Sequence, residues 1–149
     1  MKIFLATDHA GLELKESVKK NLLKNYTTED CGAFNFDKND DYPDFIAKAA
    51  KKVAGTFDAK GIFFGKSGAG ECITANKIKG IRAILGFSKE NVELSRLDND
   101  ANVLTLGSIF ITQDQAQKLV EIFLTTPFSN KERHKRRIAK ISELENSNL

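Results

Sequence analysis

Short apolar runs and amphipathic stretches take turns from one end of this chain to the other, and that alternation leaves few folds open to it. Lys2 to Thr7 (KIFLAT) reads as a buried strand, and the AGLELKESVKKNLLK that follows sets Leu12, Leu14, Val18 and Leu22 at roughly helical spacing. Tyr26 to Gly32 offers a second, weaker strand, and Asn35 to Asp41 is a polar loop. Pro43 suits the first turn of a helix that runs through FIAKAAKKVAG to Gly55. The rhythm then repeats: strand Lys60 to Gly65, a glycine-rich turn from Ser67 to Gly70, helix Glu71 to Ile78, strand Ile81 to Gly86, helix Lys89 to Leu97, strand Asn102 to Leu106. Helices from about Gln113 to Leu124 and from about Lys131 to Leu144 complete the chain. Strands that alternate with helices over short links predict an α/β fold, a doubly wound five-stranded parallel sheet covered on both faces in three αβα layers. With 149 residues, the chain suits a single domain over 1–149 that builds its core without disulfides or metal.

Sheets of this kind bind ligands at the carboxyl ends of their strands, where the strand order reverses. Three polar clusters are expected there: Asp8-His9 after the first strand, Gly65 to Glu71 after the third, and Asp98 to Asp100 just ahead of the fifth. The last helix has no obvious place in a compact monomer and is expected to reach a neighbouring subunit.

Composition narrows the function. The N-terminal apolar run is too short for a signal peptide and no later run approaches a membrane span, so a cytoplasmic protein without a membrane partner is expected. Cys31 and Cys72 show no paired metal-ligand spacing, which argues against zinc and for thiols in a reducing compartment. A net charge of +3 is small, but KERHKRRIAK at 131–140 gathers six Lys or Arg in ten residues. Such a run is a solvated helix face or an anion site; with only Phe128 near it for stacking, nucleic acid is not the expected partner.

The most informative stretch is Gly65-Lys66-Ser67-Gly68-Ala69-Gly70-Glu71. Its glycines let successive amides converge on an anion ahead of a helix N-terminus. The order fits neither a Walker phosphate loop nor a dinucleotide GxGxxG, and a plain structural turn is an equal reading of the pattern. Glu71 likewise fits a first-turn carboxylate that stabilises the helix dipole. In company with the amides, it also supplies what proton abstraction beside a carbonyl needs: a base, and donors for the enediolate oxygen. Asp8 either caps the following helix or joins His9 in a cleft, the latter if the chain turns at Ala10-Gly11. Arg133 and Arg137, four apart, share one helix face and form a plausible phosphate clamp.

Taken together, ATDHAG at 6–11, DYP at 41–43, GKSGAGE at 65–71, ANKIKGIRA at 75–83, LSRLDNDANVLTLGS at 94–108 and RHKRR at 133–137 resemble the ribose-5-phosphate isomerase B family, which includes the two-subunit galactose-6-phosphate isomerase. The resemblance covers nearly the whole chain. It implies a Rossmann-like subunit in a homodimer or dimer of dimers, with active sites shared between subunits, and an aldose-ketose isomerase of a small phosphorylated sugar that needs no metal or organic cofactor. Ribose 5-phosphate is the first expectation; the alternatives are a tetrose 4-phosphate, a hexose 6-phosphate, or a non-catalytic protein that binds a sugar phosphate. Carried onto this chain, the family pattern makes Glu71 the base, acting through a cis-enediolate. Ser67 and Asp98 are further catalytic groups, Asp8, His9, Tyr42, Lys66, Gly68, Ala69, Gly70 and Asn99 are substrate contacts, and Arg133 and Arg137 from the partner are phosphate ligands. One branch of the family uses a cysteine just before the loop, where this chain has Gly65; Cys72 aligns with neither base and is expected to face packing.

Three positions depart from the pattern. Asp98 stands where the family has a ring-opening histidine, Ile109 where it has a phosphate-contacting arginine, and Lys66 where glycine is usual. An aspartate can take the anomeric proton but donates poorly when ionised. The Lys66 ammonium is expected to offset the arginine missing at Ile109.

Overall fold

The computed structural model describes residues 1–147. Five strands, β1 (Lys2–Thr7), β2 (Thr27–Asp30), β3 (Ala59–Gly65), β4 (Ala83–Leu85) and β5 (Val103–Gly107), form one sheet in the order β2-β1-β3-β5-β4. Every neighbouring pair is parallel. The helices are α1 (Leu12–Leu22), α2 (Tyr42–Ala54), α3 (Ala69–Ala75), α4 (Lys89–Asn99), α5 (Gln113–Thr125) and α6 (Glu132–Asn146).

Alternation along the strands divides the core in two. Ile3, Leu5, Ile62, Phe64, Leu104 and Leu106 meet Leu14, Val18 and Leu22 of α1, Val92 of α4, and Leu119, Val120 and Phe123 of α5. Phe4, Ala6, Phe63 and Val103 meet Ile46, Ala49, Ala50 and Val53 of α2 and Ala75 of α3. Helices thus cover both faces, giving the three layers that the sequence rhythm predicts. The helix α6 lies outside them: it packs on α4 and, through Glu145, takes the Gly80 amide at 3.0 Å. It buries only His134.

The chain leaves β1 to pair β2 on one side and returns to place β3 on the other. The carboxyl ends of β1 and β3 therefore flank the reversal of strand order, and Thr7 pairs Phe64 there. Asp8 and the glycine loop emerge at this point. Asp98 to Asp100 do not: α4 runs back against the strands and ends where β5 begins, with the Arg82 Nε, just ahead of β4, donating to the Asn99 carbonyl at 2.9 Å. The expectation that this cluster shares the carboxyl edge is wrong for a single chain, because residues that precede a parallel strand sit at its amino end.

Candidate active site

At the carboxyl edge, β3 ends at Gly65, Gly68 adopts φ 77° and α3 starts at Ala69, two residues earlier than the sequence suggests. The left-handed φ and the close approach of Leu85 and the Leu106 carbonyl carbon leave no room for a side chain at position 68. Glu71 thus stands in the first turn of α3, 3% exposed. A Cβ on Gly65 would overlap its carboxylate, so the space of a residue 65 side chain is filled here by the Glu71 carboxyl group. Burial, and secondarily the charge of Asp8, push the Glu71 pKa above its ordinary value, against a hydrogen bond from its own amide. The Tyr42 ring lies over Gly70, where a Cβ would come 2.6 Å from Cζ. Ser67 Oγ accepts the Ala69 amide at 3.3 Å, and the loop is braced by the Ser108 amide on the Gly65 carbonyl at 2.9 Å.

Asp8 and His9 enter the same region because the chain turns at once into a short 3-10 helix, His9–Gly11. The capping reading of Asp8 is realised, Oδ1 accepting the Ala10 amide at 3.0 Å, and its charge also reaches Glu71. Gly11 is required at the crossing, where a Cβ would come 2.7 Å from the Gly65 amide nitrogen. His9 is held by a residue not singled out in the sequence, Asp40. Its carboxylate takes the His9 amide at 3.0 Å and meets the ring Nδ1 at 2.5 Å. This hydrogen bond, more than the nearby charges of Asp40, Asp8 and Asp37, raises the His9 pKa above 6.5. Asp40 sits among other loop carboxylates, and spacing alone does not distinguish it. Ligand atoms of Asp8, His9 and Asp40 lie within 4.8 Å of one another, near enough to share a cation, but the His9–Asp40 hydrogen bond already occupies two of them.

The remaining candidates gather at the opposite edge. Arg133 and Arg137 are exposed on α6, beside α4. His134, 2% exposed, brings Nε2 to 3.2 Å from Asp98 Oδ1 and accepts the Arg133 Nε–H at 3.1 Å. Asn99 offers its carbonyl to Arg82. Cys72 turns into packing as expected: its thiol faces the Ala83 carbonyl at 3.5 Å, and burial raises its pKa. One chain therefore carries two candidate half-sites: Asp8, His9, Tyr42, Glu71 and residues 66–70 at the carboxyl edge, and Asp98, Asn99, Arg133 and Arg137 at the amino edge.

A glycine turn with a buried carboxylate at the switch point of a parallel sheet places the chain among the α/β proteins that take small ligands at the strand ends. This chain belongs to the Ribose/Galactose Isomerase family, whose sequence model matches residues 3–141. Ribose-5-phosphate isomerase B of Mycolicibacterium paratuberculosis is 41% identical over 97% of this chain and 92% of its own length. The crystal structure of ribose-5-phosphate isomerase B from Mycoplasma genitalium with bound ribulose 5-phosphate superposes with a TM-score of 0.94 at 42% identity, covering 99% of this chain and 97% of that one. The Thermotoga maritima ribose 5-phosphate isomerase gives 0.90 at 40% identity, over 95% and 97% of the two chains. No helix among the described residues is long and apolar enough to cross a membrane.

Proposed function

We propose that the protein interconverts ribose 5-phosphate and ribulose 5-phosphate, with Glu71 as the base that carries the proton between carbons 1 and 2. The observation that carries this reading is the Glu71 carboxyl group, buried in the space of a residue 65 side chain at the head of α3. A base with a raised pKa both removes the C–H proton and returns it efficiently near neutral pH. The amides of residues 66–70 receive the enediolate oxygen, Ser67 relays the oxygen-bound proton, and Asp8, His9 and Tyr42 position the sugar. Relatives that bear the ribose-5-phosphate isomerase B name over nearly their full length support the substrate choice.

The phosphate ligands Arg133 and Arg137, with Asp98 and Asn99, come from a second copy whose amino edge faces this carboxyl edge. The separation of the half-sites within one chain supports this, as do Ile73, Phe87 and Leu94, exposed around the β4 edge, and Ile141 and Leu144, exposed on α6. Lys66 replaces the cation absent at Ile109: the two are neighbours, the Ile109 amide donating to the Lys66 carbonyl at 3.2 Å. The free thiols of Cys31 and Cys72 fit a cytoplasmic setting.

Incubation with ribose 5-phosphate in deuterated water tests the reading. The expected result is ribulose 5-phosphate with deuterium from solvent, lost in Glu71→Gln. Undiminished exchange by that variant rules out Glu71, and absence of turnover by the native protein rules out the substrate.

A further inference from the structure

One imidazole nitrogen joins two of the residues at the amino edge. His134 Nε2 accepts the Arg133 Nε–H at 3.1 Å, while Asp98 Oδ1 lies 3.2 Å from the same nitrogen. A ring nitrogen that lends its lone pair to Arg133 has no proton to give Asp98; one that donates to Asp98 has no lone pair for Arg133. The two contacts exclude each other. His134 Nε2 is taken up by these two neighbours, whereas the Asp98 carboxylate, 39% exposed, is open to a sugar.

An aldopentose 5-phosphate closes into a furanose through its free 4-hydroxyl, so isomerisation first requires the ring to open. Opening moves one proton from the anomeric oxygen O1 to the ring oxygen O4, while the C1–O4 bond breaks toward O4 and C1=O1 forms. An exposed carboxylate can take the first proton with one oxygen and return it to O4, with no net gain or loss. It does so best when its other oxygen is held. Glu71 is buried and committed to the C–H proton, and His9 is tied to Asp40.

Resting on the isomerase reading above, we propose that His134 is a positioning residue for ring opening by Asp98, engaged when substrate phosphate draws the Arg133 guanidinium off the imidazole. Phosphate outcompetes a neutral nitrogen for a guanidinium because it offers a charged, bidentate partner. The ring then changes tautomer, Nδ1 releasing its proton to solvent as Nε2 takes one from it, and the still neutral imidazole donates from Nε2 to Oδ1 of Asp98, leaving Oδ2 to shuttle.

Ribulose 5-phosphate separates this role from all others, since its phosphorylated O5 prevents furanose closure and its C1 proton exchanges without ring opening. His134→Leu is expected to slow the conversion of ribose 5-phosphate by more than about tenfold. Deuterium uptake at C1 of ribulose 5-phosphate should stay within about twofold of native. Equal losses in both assays, or none in either, overturn the proposal; native protein inactive in both overturns the isomerase reading itself. In case the variant folds poorly, nitrogen NMR of the native protein decides independently, since only two histidines need assignment. Inorganic phosphate should convert His134 Nε2 from acceptor to protonated donor, and an unchanged Nε2 signal at saturating phosphate overturns the switch.

Discussion

A carboxylate at 3% exposure has exchanged most of its water for protein, and the amide of Glu71 itself replaces only part of that hydration. Because folding raises this pKa above 4.5, the folded protein holds the Glu71 proton more tightly than the unfolded chain does. Relative to a neutral side chain, the cost is absent below the unfolded value and complete once pH passes the folded one. Glu71→Gln should therefore melt about 2–4 °C higher at pH 8, for a gain of about 1 kcal/mol, with the difference vanishing toward pH ~4. Its isomerase activity should fall by about 10²–10⁴-fold. Scanning calorimetry and turnover on the same samples check both. Gly65→Ala attacks the same group from the other side: the new methyl overlaps the carboxylate, so Glu71 must swing away, and turnover should drop about 100-fold with the fold retained by circular dichroism. For His9 the sign reverses. Asp40 holds its pKa above 6.5, so the pair's contribution is full below that value and is lost as pH rises through the folded one. Asp40→Asn should lower the midpoint of the His9 ring titration by NMR and make KM for ribose 5-phosphate rise at a lower pH than in the native protein. Glu71 stood out in the sequence as the proposed base because a glutamate after a glycine turn is chemically conspicuous. Asp40 was not, since its role depends on a contact across 31 positions with nothing local to mark it.

The elements were legible because each helix buries one face at helical spacing, and the central strands, buried on both faces, read as short continuous apolar runs. Pairing between strands leaves no such pattern, so the order β2-β1-β3-β5-β4 had to come from three dimensions, whereas the edge at which Asp98 lies follows from its place just ahead of a parallel strand. Lys15 shows a further limit of pattern reading. It interrupts the apolar face of α1, yet it is 0% exposed, with Nζ bonded to Asp30 at 2.7 and 2.8 Å and to the Ala33 carbonyl at 2.7 Å. This cation ties α1 to the end of β2 and to the chain beyond it. Burial pushes the Asp30 carboxyl up, but hydrogen bonds from Lys15, Lys19 and the Gly32 amide carry it below 3.8. That stability is present above the unfolded value and lost as pH falls through the folded one. Lys15→Met should cost about 3 kcal/mol in urea denaturation at pH 7, since it leaves Asp30 buried with Lys19 as its remaining lysine. A cost under about 1 kcal/mol would mean that the α1–β2 junction is held by apolar packing alone.

At the scale of the whole molecule, the proposed base and the proposed phosphate ligands lie at opposite edges of one sheet, so on this reading the arrangement of copies decides whether a working site exists. A twofold pair that apposes the carboxyl edge of each chain to the amino edge of the other completes two sites at once. The exposed apolar side chains of α3, α4 and α6 give such a pair surface to bury. Mixing two inactive variants distinguishes this from a site confined to one chain. Suppose Glu71→Gln is combined with Arg137→Met, unfolded together and refolded in equal amounts. In a mixed pair, one site inherits both defects, and the other joins Glu71 from one chain to Arg137 from its partner and is native. Random pairing makes about half of the pairs mixed, so the mixture should recover about a quarter of native turnover, although each parent alone recovers almost none. Sedimentation velocity on the same sample establishes that the copies are paired. Paired copies without recovered turnover would confine the site to one chain, leaving Arg137 to act on α6 by some route other than the partner's phosphate.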